Sequence, residues 1–385
     1  MARLIDDTNC FSDPVENFSD AIRFYERIKS INNPYTGNKR KILLDLYSVI
    51  KENNIKTNNF LDLFSGSSVV GLFFSLLGSR VYSNDILSFP FLISSAFVSN
   101  TGFNLSNKEK SMLFEGNDFH EGFVCSNYSE DSDEYRFSKK EAKWLDSFYY
   151  KLQNEYGSLK SVIESKVSNE FDCKKSEENF YKSSIACVSV LNYVLSCCFV
   201  GGRLNKGQVL ANKEFRIKRN SSINSDGEMA FSNIFIPEFY HFNQVENRSY
   251  HLDVLSFLAK NVNKFDCIYI DPPYGGSQSD YSFMYKFCEE FIMQSKIEDI
   301  SYLKECTDFS KSKNYENHFN TLLSKLPIES SWVFSYNDSS WSNIDNIVSC
   351  IKSYKKDIIV KEIKYNYQYR KSSKSSGIEY VVIGL

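Results

Sequence analysis

The sequence predicts an α/β protein: a doubly wound, Rossmann-like sheet interrupted by a mainly helical insertion that contains a basic β-hairpin. Three observations predict it. NFLDLFSGSSVVGLFFSLLGSRVYSNDI, residues 59–86, reads as strand, glycine-containing loop, helix and strand, which is a βαβ unit with a right-handed crossover. The same alternation returns from Tyr250 to the C-terminus. Between them, residues 101–246 lose that rhythm and are charge-segregated instead.

The 385 residues carry 45 Lys+Arg against 48 Asp+Glu, a formal charge of −3, with 42% hydrophobic and 24% charged residues. That balance supplies a large core and excludes a disordered chain, a fibre or a small disulfide scaffold. No apolar run reaches the roughly 20 residues needed to span a bilayer. The start, MARLIDDTNCFSDPVENFSD, is too acidic and polar for a secretory signal, so a cytoplasmic protein is expected, with no membrane partner. The ten cysteines form no CxxC pair and there are only four His, so the thiols are expected free and no metal site is expected.

In chain order, residues 13–30 have Phe18, Ile22, Phe24 and Ile28 at mostly helical spacing, and Asn33-Pro34 marks a turn. A second helix starts near Lys39, carrying Ile42, Leu43, Leu46, Val49 and Ile50. Then come a strand at Phe60–Leu63, a loop at Ser65–Ser68, a helix at Val69–Leu77 and a strand at Ser79–Ser83 running into Asn84-Asp85. Within the insertion, 139–154 and 178–199 read as helices. The segment 203–219 sets Arg203, Lys206, Lys213, Arg216, Lys218 and Arg219 against the single acid Glu214, and reads as the basic hairpin. Strands follow at Tyr250–Leu252, Asp266–Ile270, Trp332–Tyr336, Ile358–Tyr365 and Glu379–Ile383, with helices at 283–295, 313–325 and 341–351. The economical organisation is a domain built from 31–100 and 247–385, an insertion at 101–246, and an N-terminal helical extension at 1–30.

Two motifs carry chemistry. In CIYIDPPYGG a buried strand delivers Asp271, Pro272, Pro273 and Tyr274 at its C-terminal end, where open α/β sheets bind ligands. Two prolines fix φ and remove both amide donors, so the loop offers only acceptors, beside an aromatic face. That suits a planar ligand bearing an amino group. Asp271 and the Pro272 carbonyl would take the two amine hydrogens, and Tyr274 would stack on the ring. The bland alternative is a strand-ending turn. The second motif is Phe60–Gly71 with Asp85. Gly66 permits close backbone approach, and Asp85 is placed to accept ribose hydroxyls. Ser67 and Ser68 replace the glycines of a pyrophosphate cradle, which favours a nucleoside without phosphates, such as S-adenosylmethionine, over a generic nucleotide.

With these residues in this order, the chain resembles DNA adenine-specific methyltransferases of the Dam family. YTGNK (Tyr35–Lys39) resembles the family's aromatic-x-Gly-Gly-Lys motif, with Asn38 for the second glycine. FLDLFSGSS, SNDI and DPPY match its cofactor and catalytic motifs. LNYVLSCCFVGGRLNKGQ (Leu191–Gln208) resembles the stretch leading into its DNA-reading hairpin, and VFSYND and the Tyr369–Leu385 tail resemble its last strands.

The resemblance implies a site-specific adenine methyltransferase acting on double-stranded DNA, transferring a methyl group from S-adenosylmethionine to the N6 amine of a flipped-out adenine. By matching position it implies Tyr35, Lys39, Asp62, Phe64, Gly66, Asp85, Asp253 and Asp271 at the donor, although Asp253 can equally be a helix cap. Arg203, Asn205, Lys206, Lys213, Arg216, Lys218 and Arg219 are expected on DNA, as phosphate or base contacts. A separately acting restriction endonuclease is an optional partner. Methylation of an RNA guanine amine or a DNA cytosine amine, or a non-catalytic DNA-binding relative, are the rival readings.

Overall fold

The computed structural model describes residues 18–31, 34, 35, 37–165, 171, 173–200, 203, 204, 228–237, 245–260, 265–273, 280–304, 307, 309, 312–337, 342–366 and 376–385. Its strands are β1 (Asn59–Asp62), β2 (Arg80–Asp85), β3 (Phe199–Val200), β4 (Arg203–Leu204), β5 (Arg248–His251), β6 (Cys267–Ile270), β7 (Ser331–Asn337), β8 (Ile358–Asn366) and β9 (Ser376–Gly384). Seven form one sheet in the order β5-β2-β1-β6-β7-β9-β8, and β3 pairs with β4 in a separate short antiparallel ladder. From β5 to β7 all neighbours are parallel, while β9 runs antiparallel to both β7 and β8.

The sheet is covered on both faces, and the two-residue period of each strand decides which side chain goes where. Phe60, Cys267, Tyr269, Val333 and Ile383 enter one core cluster. Their chain neighbours Leu61, Ile268, Ile270, Trp332, Phe334 and Val382 enter the other. The second cluster is closed by the helices Val254–Lys260, Ser312–Lys325 and Ile344–Lys352, through Phe257, Phe319, Leu322 and Ile347. The first is closed by α1 (Phe18–Ser30), α2 (Leu43–Glu52) and α3 (Val69–Leu76), and by much of the chain between β2 and β5.

That stretch holds α4 (Ser88–Ser94), a π-helical turn at Ser95–Ser99, α5 (Asn107–Phe114), α6 (Phe123–Tyr128), α7 (Lys139–Tyr156), α8 (Leu159–Ser165) and α9 (Lys174–Cys198). Helix α7 starts with a capping box in which Ser138 and Glu141 satisfy each other's backbone donors. Its buried stripe, Ala142, Leu145, Phe148, Tyr149, Leu152 and Tyr156, keeps helical spacing and joins the cluster that also holds Phe60 and Phe287. The stretch between β2 and β5 therefore packs directly on the helical layer of the sheet. One of its polar ties is Glu290, fully buried, which accepts the Tyr128 hydroxyl at 2.5 Å and the Ile297 N–H at 2.9 Å. Lys286 bridges Glu290 to Glu134, which precedes α7.

The expected strands and helices that fall on described residues are present with shifted edges. α1, described from Phe18 onward, buries Ala21, Phe24 and Ile28, whereas Phe18 and Ile22 are 48% and 44% exposed; positions 13–17 of the expected helix lie outside the described residues. β2 continues through Asp85 rather than ending at Ser83, because buried Asn84 bonds to the carbonyls of Leu63 and Leu252. The helix expected at 283–295 is two pieces, Tyr281–Met284 and Lys286–Met293, ended by Gln294 in the left-handed conformation. Arg203 and Leu204 pair with Phe199–Val200, upstream of the expected hairpin. The remaining candidate DNA contacts, Asn205, Lys206, Lys213, Arg216, Lys218 and Arg219, lie outside the described residues, as does Tyr274. No helix among the described residues is long and apolar enough to cross a membrane.

Candidate active site

Chain order runs from β1 out to β2 and β5, then back across to β6, so the sheet changes direction between β1 and β6. Ligands of open α/β sheets bind outside the carboxyl ends of the strands at such a point. A cleft of about 150 Å³ opens there, lined from the β1, β2, β5 and β6 ends and from the segments 35–39 and 280–282. Tyr35, Lys39, Asp62 and Phe64 line it, as do Gly66, Asp85, Asp253 and Asp271. Every position expected at the donor thus faces a single cavity. Pro273 lines it as well, and Pro272 is buried beside it.

The loop after β1 is built around two carboxylates. Asp62, 1% exposed, accepts the Gly71 N–H at 3.0 Å. Asp85 accepts Gly66 N–H at 2.9 Å on one oxygen and Leu87 N–H at 3.0 Å on the other. Burial pushes the Asp85 carboxyl up to about 6, against the pull of these backbone bonds. Burial likewise pushes Asp62 up to about 7, helped by the negative charges of Asp271 and Asp85. Gly66 has φ 44°, and a Cβ there would lie 3.2 Å from the Tyr35 ring. Ser68 takes φ 56°, left-handed without being glycine, at the start of α3, with its hydroxyl buried and unpartnered. The glycine-poor loop thus keeps the turn a glycine would make and bears the strain.

Segment 35–39 forms the opposite wall. Asn38, the residue that departs from the second glycine of the family motif, donates to the Tyr35 carbonyl at 2.8 Å and accepts from the Arg40 N–H at 3.3 Å. It closes the turn with its side chain. Tyr35 stacks on Tyr285 with centroids 4.3 Å apart and planes at 9°, and lies parallel to Tyr281 at 6.0 Å. Lys39 reaches Asp271 at 3.1 Å and Glu379 of β9 at 2.8 Å. Burial alone would lower the lysine, but the two carboxylates outweigh it and raise its pKa, so the ammonium stays charged. Asp253 caps the helix Val254–Lys260 through Leu255 N–H at 3.0 Å and accepts Thr307 N–H at 2.7 Å. It is a helix cap and a wall of the cleft at once.

Four participants escape the sequence reading. In the sequence Glu379 is only the first residue of the last expected strand, yet it is 3% exposed and paired with Lys39. Tyr281 and Tyr285 complete the aromatic wall. Glu289 sits behind Asp85, holding the N-terminus of α4 through Ser88 and Phe89 N–H groups at 2.9 Å. An abundance of aromatics after DPPY was the one available signal for the tyrosines. Asn84 Oδ1 and Ser65 Oγ are buried polar atoms of cleft-lining residues without a hydrogen-bond partner, as expected where a polar ligand is to be received. Among the described residues no group of three or more His, Cys, Asp or Glu is gathered to hold a metal ion.

Comparison with known proteins follows the same outline. The family model for the D12 class N6 adenine-specific DNA methyltransferase matches residues 35–349. The Type II methyltransferase M2.HphI of Haemophilus parahaemolyticus is 23% identical over 347 residues, covering 88% of this chain and 94% of that protein.

Proposed function

Because this chain belongs to the D12 class of N6 adenine-specific DNA methyltransferases, we propose that its cleft binds S-adenosylmethionine and that Asp271 and Pro272 receive the target amine. The enzyme methylates adenine in DNA. The observation that carries the finer reading is the convergence of the eight nominated donor residues on one cleft, with Asp271 at its edge.

The chain's chemistry fits that donor. Asp85 accepts the ribose hydroxyls, held in place by the Gly66 and Leu87 amides. Gly66 presents bare backbone under Tyr35. Carboxylates outnumber cations along the cleft, which favours a ligand bearing positive charge. When bound, S-adenosylmethionine supplies an electrophilic methyl on a sulfonium.

An amine inside a duplex cannot reach such a cleft, so the adenine leaves the base stack at a cost of a few kcal/mol. Asp271 and the Pro272 carbonyl accept its two amine hydrogens and orient the nitrogen lone pair along the line of transfer. Neither proline can offer a competing N–H. Tyr274 stacks on the ring. Rate enhancement comes from positioning and fixed charge rather than from a strong base.

The segment 101–246, with Arg203 and the basic residues 206–219, reads the duplex and holds its phosphates. A restriction endonuclease that cuts the unmethylated site is the natural companion, since the related M2.HphI is a Type II methyltransferase.

Calorimetry tests the donor assignment. The wild type should bind one equivalent of S-adenosylmethionine, and Asp85→Ala should bind it at least about tenfold more weakly, as expected for loss of charge-assisted hydrogen bonds. Equal affinity in the two proteins would reject the role given to Asp85.

A further inference from the structure

Lys39, Asp271 and Glu379 come from three distant stretches of chain and meet at one point. The ammonium lies 3.1 Å from Asp271 Oδ1 and 2.8 Å from Glu379 Oε1, with the three side chains 10%, 17% and 5% exposed. Two carboxylates share one cation in a nearly dry place, where ionic contacts are strong and directional. The two acids are anchored differently. Glu379 lies inside β9, opposite Asn337 of β7 and Ile363 of β8, so ladders on both sides fix its backbone. Asp271 stands just past the end of β6, where the ladder has stopped.

A rigid carboxylate therefore holds the ammonium, and the ammonium holds the carboxylate of the loop. We propose that Glu379 is a positioning residue for methyl transfer: through Lys39 it fixes the carboxylate that receives the adenine amine. The inference rests on the reading of Asp271 as that acceptor. Glu379 itself touches neither the base nor the methyl group. Its effect is geometric, because an ionised carboxylate can only accept hydrogen bonds and must aim an oxygen at the amine. A displacement of about 1 Å at a reacting centre costs on the order of 100-fold in rate. The arrangement also gives Lys39 a task within the site besides contact with the donor.

Glu379→Gln is nearly isosteric, keeps an acceptor and removes the charge. In single-turnover methylation its transfer rate should fall about 10- to 100-fold, with donor affinity and melting temperature close to wild type. Glu379→Asp keeps the charge one methylene further back and should fall between the two; it replaces the Gln variant throughout if that protein does not fold. The decisive comparison is a double-mutant cycle. In an Asp271→Asn background, adding Glu379→Gln should change the residual rate by less than about threefold, because groups acting through one another are not additive. Full multiplicative loss in that background would overturn the proposal. So would a Glu379→Gln rate within about threefold of wild type, or a loss matched by an equal loss of donor binding. Asp271→Ala serves as control. If it retains activity, the reading of the acceptor fails; if it is inactive while Glu379→Gln is normal, only the present inference fails.

Discussion

Acidification should weaken donor binding, and Asp85 fixes where. In the proposed donor site its carboxylate must be ionised to accept two ribose hydroxyls while also accepting the Gly66 and Leu87 amides. With its pKa pushed up to about 6 by burial, ionisation in the empty protein falls from about 97% at pH 7.5 to about 9% at pH 5. Donor dissociation constants should therefore rise about tenfold over that interval, with a bend near pH 6. Asp62, at about 7, adds a shallower trend above the bend. Calorimetry across that range on the wild type and on Asp85→Asn separates the two, since the variant should lose the bend near 6. Stability should run the opposite way. Both carboxyls have folded pKa values above their unfolded ones, so their stabilising contribution is full below about pH 4 and is lost as pH rises through 6 to 7. A flat affinity profile in the wild type, or a bend near 6 that survives in Asp85→Asn, would refute the assignment.

Three further outcomes follow from the geometry. At the loop after β1, Gly66→Ala should weaken donor binding and cost about 1–2 kcal/mol, from positive φ and contact with the Tyr35 ring. Ser68→Gly should instead stabilise by about 1 kcal/mol, since it relieves a left-handed serine whose buried hydroxyl has no partner. Thermal melts distinguish the signs. Between insertion and sheet, Tyr128→Phe removes the bond to fully buried Glu290 and should lower unfolding free energy by about 1–3 kcal/mol in denaturant titration.

The sheet was legible because parallel strands buried on both faces are short apolar runs, and NFLD, CIYI and SWVFSYN are such runs between turn residues. The long amphipathic helices were legible for the same kind of reason. Short helices were not. α4 is held by Glu289, 200 residues away, and α6 by Asp146, which accepts the Gly122, Val124 and Cys125 N–H groups from within α7. Their stabilising partners are tertiary, so no local pattern announces them. The residues lining the cleft were readable because they sit in strand-loop motifs whose backbone geometry is local. The Lys39–Glu379 pair spans nearly the whole chain and becomes visible only when β9 inserts beside β7.

Methyl transfer itself is tested most directly by single-turnover kinetics of Asp271→Ala, saturated with S-adenosylmethionine and with DNA carrying the target site. The transfer rate should drop at least about 100-fold with the protein folded and the donor still bound. A rate close to that of the wild type under those conditions would contradict the placement of the adenine amine at Asp271.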